Sequence, residues 1–304
     1  MRVIVLALFG FVLLHGPARS AEPAPIDLDR YDAARRTVAL PNGIRLAYVE
    51  TGNPRGRPVV LIHGYTDNAR DWIPLIPYLS RRDRLIAVDL RGHGASSKPE
   101  CCYARVDFAY DIKLLLDALK LRQADIVGHS MGSIVAQTFA ENWPERTRKV
   151  VLISSSAGPR PGAPVPVRFD YETNIRELKE PIDPDSPFMI AWWSSPTPVA
   201  EEFLRRQRRD AARIPLKVWL AMLDILDQAL DTTELQSTLP RLKASCLLIW
   251  GKVDPIVVEE ARAALREALP DAQVKVFDGL GHNPFWENPA GVASVINEFL
   301  DAEP

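Results

Sequence analysis

The sequence contains little cysteine, three residues in 304, and lacks a dominant basic patch. No histidine lies at a metal-ligand spacing from Cys101, Cys102 or Cys246, so we expect no metal site, and we expect no cofactor either. The formal net charge is −2, which predicts no nucleic-acid partner. One short arginine-rich run, residues 205–209, is interpreted as the solvated face of a helix rather than as an anion site.

Long apolar runs are scarce as well, and the one near the N-terminus, residues 3–14, is too short to span a membrane comfortably. It follows Arg2 and precedes Ala18-Arg19-Ser20, a small-x-small cleavage pattern. Residues 1–20 are therefore predicted to be a signal peptide cut after Ser20, which places the mature protein in the periplasm or outside the cell, without stable membrane insertion. An uncleaved membrane anchor is the alternative.

Export would make a disulfide possible. Cys101 and Cys102 are adjacent, so they could form a vicinal disulfide, or one of them could pair elsewhere. Cys246 opens an apolar strand and is predicted to be a buried thiol. The sequence leaves both the pairing and the oligomeric state open.

The composition, 47% hydrophobic and 25% charged, is typical of a globular chain. Asn42-Gly43 predicts a tight turn between strands 37–40 and 44–50. Beyond it, short apolar runs that suit buried parallel strands alternate with helical segments, which predicts an α/β fold with a mostly parallel central sheet and helices on both faces. The predicted strands are 58–62, 84–89, 124–127, 149–153, 245–250 and 274–277, and the predicted helices are 72–79, 108–119, 131–142, 259–269 and 289–300.

The alternation stops once, between Ser156 and about Leu239. This stretch has helical segments near 173–178, 199–213 and 216–230, so we interpret residues 158–238 as a helical cap inserted in a core of residues 21–157 and 239–304. Large apolar side chains of the cap, and one of the core, are candidates to contact a substrate, although packing between cap and core would also explain them. They are Phe188, Trp192, Trp193, Trp219, Met222 and Trp286.

The pentapeptide Gly128-His129-Ser130-Met131-Gly132 follows a predicted strand and precedes a predicted helix. In that setting the G-x-S-x-G pattern predicts a nucleophile elbow, a turn so tight that its glycines leave no room for a Cβ. The serine is held in a strained conformation, and its hydroxyl stands clear of the backbone. Ser130 is therefore the candidate nucleophile, with an ordinary glycine-rich turn as the alternative.

A serine hydroxyl is a weak nucleophile at neutral pH, so it needs a base, and the base needs an acid to orient it. Of the five histidines, His15 would leave with the signal peptide, and His129 is expected to point away from the position of the base. His63 and His93 lie in glycine-flanked turns and are interpreted as structural. His282 remains, in a loop after the last predicted strand, and is the candidate base.

The orienting acid should follow another strand at the same edge of the sheet. Asp254 lies just beyond a predicted strand, whereas the loop after Ile153 has no carboxylate. Asp278 is the second candidate, but it is close in sequence to His282. We therefore predict a catalytic triad in the chain order Ser130, Asp254, His282.

The motifs resemble those of the α/β-hydrolase family over about residues 37–156 and 240–301, and the order of the triad agrees with that family. The resemblance implies that the backbone N–H groups of Tyr65 and Met131 form an oxyanion hole. The matching segments are Leu61-Ile62-His63-Gly64-Tyr65, Asp89-Leu90-Arg91-Gly92-His93-Gly94-Ala95-Ser96, Gly128-His129-Ser130-Met131-Gly132, Trp250-Gly251-Lys252-Val253-Asp254 and Gly281-His282.

A serine rather than an aspartate at position 130 separates the chain from the epoxide hydrolases and haloalkane dehalogenases that it otherwise resembles. Because a serine forms an acyl-enzyme, the resemblance implies an esterase- or lactonase-like serine hydrolase whose partner is a small, largely apolar ester or lactone. The alternatives are a C–C bond hydrolase or a cofactor-free haloperoxidase- or perhydrolase-like enzyme with the same triad. A non-catalytic ligand-binding protein is the alternative from another class, but such a chain would be expected to have lost part of the triad.

Overall fold

The computed structural model describes residues 26–158, 171–230 and 234–303. The predicted signal peptide and the first part of the predicted cap, residues 159–170, lie outside the described residues. Within the described ranges, no helix combines the length and the apolar character that a membrane span requires.

The strands form one sheet in the order β1-β2-β4-β3-β5-β6-β7-β8, counted over the described residues. The first two strands pair antiparallel, β2 pairs antiparallel with β4, and all further pairs are parallel. The predicted mostly parallel sheet is therefore confirmed. The strands are β1 (Arg35–Ala39), β2 (Arg45–Gly52), β3 (Pro58–Ile62), β4 (Arg84–Asp89), β5 (Ala124–His129), β6 (Thr147–Ile153), β7 (Ser245–Gly251) and β8 (Gln273–Phe277).

Helices cover both faces of this sheet, as predicted. The helix α3 is predicted correctly at both ends, because good helix formers begin directly after the elbow. The helices are α1 (Leu28–Ala33), α2 (Arg105–Ala118), α3 (Met131–Asn142), α4 (Tyr171–Glu177), α5 (Pro187–Trp192), α6 (Glu201–Ala211), α7 (Leu216–Ala221), α8 (Leu223–Leu230), α9 (Glu234–Thr238), α10 (Glu259–Ala268), α11 (Pro284–Glu287) and α12 (Pro289–Asp301).

The central strands are buried on both faces, and every residue of β5 is buried. This explains why their sequences are continuous apolar runs rather than alternating ones. The last strand, β8, is different: it lies at the edge of the sheet, and Val274 remains 46% exposed. The expectation of a strand buried on both faces is wrong for β8, whose residues are exposed except for the half-buried Phe277.

Two predicted helices are wrong in detail. Residues 72–79 do not form the predicted α-helix. Two short 3-10 turns lie in and just before this range, Ala69–Trp72 and Ile76–Tyr78. Pro74 and Pro77 explain the difference, because proline has no N–H to donate and its ring clashes with the preceding turn of an α-helix. The predicted segment 216–230 divides into α7 and α8 at the buried Met222, whose φ and ψ are −96° and −3°.

The described residues between β6 and β7 contain the helices α4 to α9 and no strand. This segment contacts the turn after β3 through Tyr65, whose buried hydroxyl donates to the backbone carbonyl of Trp219. A second contact joins Trp193 to the same turn, because its indole N–H donates to Asp67 Oδ1 over 3.1 Å. The segment is therefore anchored beside the carboxyl ends of the central strands.

The cysteines are free thiols. Cys246 is buried as predicted, and burial raises its pKa to about 12. Cys101 and Cys102 are both exposed, and φ of Cys102 is +73°. The structure thus shows neither of the disulfides that the sequence left open.

A buried ion pair fixes the loop after β4 against α2. Arg91 donates to both carboxylate oxygens of Asp111, over 2.7 and 2.6 Å, and also to the carbonyl of Cys102 over 2.6 Å. Asp111 additionally accepts from the Asn42 amide over 2.7 Å, which ties the first hairpin turn to the same point. The Asp111 side chain has no exposed surface, and that of Arg91 is 4% exposed.

Asp111→Ala should therefore destabilise the protein strongly, because it leaves the buried guanidinium of Arg91 without its partner. We expect a loss of about 3–5 kcal/mol in the free energy of unfolding, measured by urea titration. Asp117→Ala is the control on the same helix: its carboxylate is 41% exposed and pairs with Lys113 and Arg146. That variant should lose less than about 1 kcal/mol. Equal losses in the two variants would contradict the assignment.

Candidate active site

Ser130 lies between β5 and α3 with φ +50° and ψ −122°, a conformation that an L-residue rarely adopts. Its N–H donates to the carbonyl of Ile153 over 2.9 Å, so the neighbouring strand holds the strained residue in place. Strain of this kind persists only where the surrounding structure determines it, and here it turns the hydroxyl away from the backbone.

The two glycines of the elbow have no room for a side chain. A Cβ on Gly128 would lie 2.3 Å from the carbonyl oxygen of Gly132, and a Cβ on Gly132 would lie 2.2 Å from that of His63. These obstacles are backbone atoms, so they could not move aside as a flexible side chain would. The sequence prediction of a tight elbow therefore agrees with the geometry.

The structure brings Ser130, His282 and Asp254 together in the predicted order. Ser130 Oγ lies 2.9 Å from His282 Nε2, and His282 Nδ1 lies 2.9 Å from Asp254 Oδ2. A serine hydroxyl can donate to Nε2 when the imidazole proton is on Nδ1 and donates to the carboxylate. This is the geometry that general-base activation of a serine requires.

Backbone contacts fix the orientation of the Asp254 carboxylate. Its Oδ1 accepts from the N–H groups of Ile256 and Val257, over 2.8 and 3.0 Å, which leaves Oδ2 for His282. The second candidate, Asp278, is exposed and pairs with Lys252 over 2.8 Å. The structure thus places Asp254, and not Asp278, beside the imidazole.

The other described histidines have their own buried partners. His63 Nε2 accepts from the N–H of Leu90 over 3.1 Å, so its Nδ1 carries the proton and donates to the Gly64 carbonyl over 2.8 Å. Burial lowers the pKa of His63 well below its ordinary value, and it lowers the pKa of His93 to about 4. Neither histidine faces Ser130, in agreement with their interpretation as structural.

The predicted oxyanion-hole residues flank the elbow. Met131 is the first residue of α3, so its N–H has no acceptor within the helix, and the helix dipole favours negative charge at this end. Tyr65 follows Gly64 in the turn after β3. The absent Cβ of Gly64 would lie 2.9 Å from His129 Nδ1, so this turn lies directly against the elbow. The role of the two N–H groups stays a prediction.

A narrow cavity of about 30 Å³ opens at Ser130 and His282. Its walls are mostly apolar, and none of the described residues that line it is a lysine or an arginine. Residues from the elbow, the loops after β6 and β7, and the helical segment contribute. The lining residues are Ser130, Met131, Ile134, Ser154, Ser156, Tyr171, Trp192, Leu226, Ala229, Ile256, Val257 and His282.

Trp192 is the one of the six predicted substrate-contacting side chains that lines this cavity. Phe188 packs on the Trp192 ring at a centroid distance of 5.8 Å. Trp219 and Met222 are fully buried, while the indoles of Trp193 and Trp286 donate to the carboxylates of Asp67 and Asp71. These five side chains therefore pack around the site and do not line its cavity.

Sequence reasoning did not identify several of the lining residues. Ile256 and Val257 directly follow the predicted acid, so their position next to Asp254 was a usable signal. Leu226 and Ala229 stand three residues apart on α8, a spacing that places them on one helix face, but it does not say what that face contacts.

A pair of buried acids behind the triad was missed as well. Burial raises the pKa of Asp67 to about 7, and burial followed by the charge of Asp67 raises the pKa of Asp71 well above its ordinary value. Together with His129 they offer three donor atoms within 4.8 Å of one another. The sequence signal was the presence of two aspartates, Asp67 and Asp71, shortly after His63-Gly64. Their burial is visible only in the structure.

A family model for the alpha/beta hydrolase fold matches residues 57–289. The chain belongs to this family. It is 25% identical over 285 residues to 2-hydroxy-6-oxo-2,4-heptadienoate hydrolase of Pseudomonas putida, and the match covers 88% of this chain and 96% of that protein. The α/β-hydrolase expectation drawn from the motifs is therefore confirmed.

Two solved α/β-hydrolase structures illustrate the fold. An esterase from Exiguobacterium antarcticum has a TM-score of 0.76 and 21% identity, covering 88% of this chain and 99% of that chain. The enol-lactonase from Burkholderia xenovorans has a TM-score of 0.70 and 21% identity, covering 88% of this chain and 100% of that one. At these identities the likeness shows the fold alone. The family match and its relatives together support a hydrolase.

The raised pKa of Asp67 predicts how stability changes with pH. Unfolded aspartate loses its proton above about pH 4, whereas folded Asp67 keeps its proton until about pH 7. Stability linked to this group is therefore lost as pH rises through that window. Asp67→Asn keeps an acceptor for Trp193 but cannot ionise, so it should gain stability over wild type, on the order of 3 kcal/mol between about pH 4 and about pH 8.

Urea titrations at those two pH values measure this difference. Asp271→Asn, which alters an exposed acid, is the control and should show a difference that does not change with pH. A pH-independent difference for Asp67→Asn as well would contradict the assignment.

Proposed function

We propose that the protein is a serine hydrolase that cleaves a small, largely apolar carboxylic ester or lactone through an acyl-enzyme. The observation that carries the proposal is the position of the Ser130 hydroxyl, which lies 2.9 Å from the His282 imidazole at the wall of an apolar cavity. A nucleophile, a base and an apolar cavity meet at one point.

In the proposed reaction Ser130 Oγ attacks the acyl carbon while His282 Nε2 takes its proton. Asp254 holds the proton of the imidazole on Nδ1 and stabilises the imidazolium that forms. The N–H groups of Tyr65 and Met131 stabilise the negative oxygen of the tetrahedral intermediate. His282 then protonates the leaving alcohol, and water activated by the same imidazole releases the acid.

The cavity supports a small and neutral substrate. Its free space is narrow, about 30 Å³, and apolar side chains such as Ile134, Leu226 and Val257 dominate its walls. A carboxylate buried against these walls would lack a cationic partner among the described residues that line the cavity, and an unpaired buried charge is costly. The lining thus favours an uncharged ester or lactone.

A C–C bond hydrolase with the same triad is the second candidate, because one relative is named a hydrolase of a dienoate. A dienoate carries a carboxylate, and the described lining residues offer no lysine or arginine to bind one. A perhydrolase-like activity and a non-catalytic binding role would use the same cavity. The intact hydrogen-bonded set of Ser130, His282 and Asp254 supports catalysis over binding alone.

An active-site label tests the nucleophile. A fluorophosphonate probe should modify wild type at Ser130, because it reacts with a serine activated by a base, and Ser130→Ala should not be labelled. Ser156→Ala is the matched control: Ser156 lines the same cavity and should not affect the labelling. Intact-mass and peptide mass spectrometry measure both outcomes. Undiminished labelling of Ser130→Ala would refute the assignment.

A substrate panel tests the class. We expect turnover of neutral p-nitrophenyl esters and simple lactones, with kcat/KM at least about tenfold lower when the acyl chain ends in a carboxylate. The panel includes a vinylogous 1,5-diketo acid for the C–C candidate and peroxide with acetate for the perhydrolase candidate. A preference for the diketo acid over every neutral ester would favour C–C hydrolysis instead.

A further inference from the structure

We propose that His129 is a positioning residue that holds the loop carrying His282, and that Asp71 supports it as a neutral acid. The proposal deepens the function proposed above, since it concerns the loop of the general base. It assigns a use to a buried cluster, Asp67, Asp71 and His129, which the triad itself does not employ.

The contacts to the His282 backbone carry the first part. His129 Nε2 lies 3.0 Å from the carbonyl oxygen of His282, and Ser154 Oγ donates to the same oxygen over 2.7 Å. One residue earlier, the N–H of Gly281 donates to Glu287 Oε1 over 2.9 Å. The loop of the base is thus fixed on its main chain, independently of the bond between His282 and Asp254.

The same contacts fix the tautomer of His129. A carbonyl only accepts, so the proton must be on Nε2, and Nδ1 is left as an acceptor without a hydrogen-bond donor. This buried Nδ1 faces Asp71 Oδ2 at 3.8 Å, and that oxygen also has no hydrogen-bond partner. A proton on Asp71 Oδ2 gives the pair a donor and an acceptor that face each other.

Two tryptophans hold the acids close together. The indole of Trp286 donates to Asp71 Oδ1 over 2.8 Å, and that of Trp193 donates to Asp67 Oδ1 over 3.1 Å. The donor atoms of the two carboxylates and of His129 lie within 4.8 Å of one another. Two buried carboxylates this close cannot both ionise without a large cost in free energy. The other polar or titratable groups that face the cluster are His63, Gln207, His282 and the N–H of Gly64, which lies beside Asp71.

The charge state matters because His129 stands beside the base, so the expectation that it points away from the base is wrong. Its ring centroid lies 5.2 Å from that of His282, so a charged His129 would oppose formation of the imidazolium during catalysis. Burial, and then the neighbouring His282, lower the pKa of His129 well below its ordinary value. An ionised Asp71 would draw a proton to His129, whereas a neutral Asp71 leaves it uncharged.

Two matched variants test the positioning role. His129→Gln keeps an N–H donor near the position of Nε2, and His129→Phe keeps a ring but no donor. We expect kcat of His129→Phe to fall between about 10- and 100-fold with little change in KM, because the base is misplaced. His129→Gln should stay within about threefold of wild type. Equal losses in the two variants would indicate packing alone and would overturn the proposal.

A measurement that does not depend on turnover distinguishes a failure of the positioning role from a failure of the proposed function. Hydrogen exchange of amides 279–283 should accelerate in His129→Phe and not in His129→Gln. Accelerated exchange in an enzyme that no fluorophosphonate labels would reject the proposed function and retain the positioning role. Unchanged exchange in His129→Phe would reject the positioning role whatever the activity.

Asp71→Asn tests the neutral acid, because an amide donates without carrying charge. We expect this variant to keep kcat within about threefold and to leave the acidic limb of the pH profile of kcat/KM in place. If Asp71 were ionised, removing its charge would disfavour the imidazolium and move that limb to lower pH. A shift of the acidic limb by about one pH unit to lower pH would overturn the proposal that Asp71 is neutral. So would zinc that binds stoichiometrically to wild type and not to Asp71→Asn, since the cluster would then hold a metal.

Discussion

The close approach of backbone atoms around Ser130 is the constraint on which the rest of this structure depends. Gly132 passes so near the His63 carbonyl that a Cβ would lie 2.2 Å from it, and the N–H of Ser130 bonds to the end of β6. The elbow follows β5, whose neighbours β3 and β6 are central strands with mostly buried residues. Strain at Ser130 is the local cost, and the packed sheet offsets it.

Burial next to the elbow also explains why so many polar groups there are fixed. The residues of the turn after β3 are buried, and His63 and His129 each contact a backbone carbonyl while burial lowers the pKa of both. The same low-polarity surroundings raise the pKa values of Asp67 and Asp71. A single physical cause, desolvation, thus lowers the pKa values of histidines and raises those of acids within one cluster.

The helical segment between β6 and β7 takes part in this cluster as well as in the cavity. Trp192 lines the cavity, while its neighbour Trp193 bonds to Asp67 behind the elbow. Thr197 donates to Glu287 Oε2 over 2.8 Å, and the same carboxylate accepts from the loop of His282. This segment, which contributes to the cavity wall, is therefore joined by hydrogen bonds to the loop of His282.

The sequence by itself determined the alternation of strands and helices in the core, the elbow, and the triad of Ser130, Asp254 and His282. It could do so because parallel strands deliver their carboxyl ends to one edge, so that a residue just past a strand is already placed. Only the tertiary structure decided which apolar side chains line the cavity and which pack behind it, and it alone revealed the Asp67, Asp71 and His129 cluster. Those outcomes depend on how distant segments meet and on the desolvation that follows, and no local spacing encodes either.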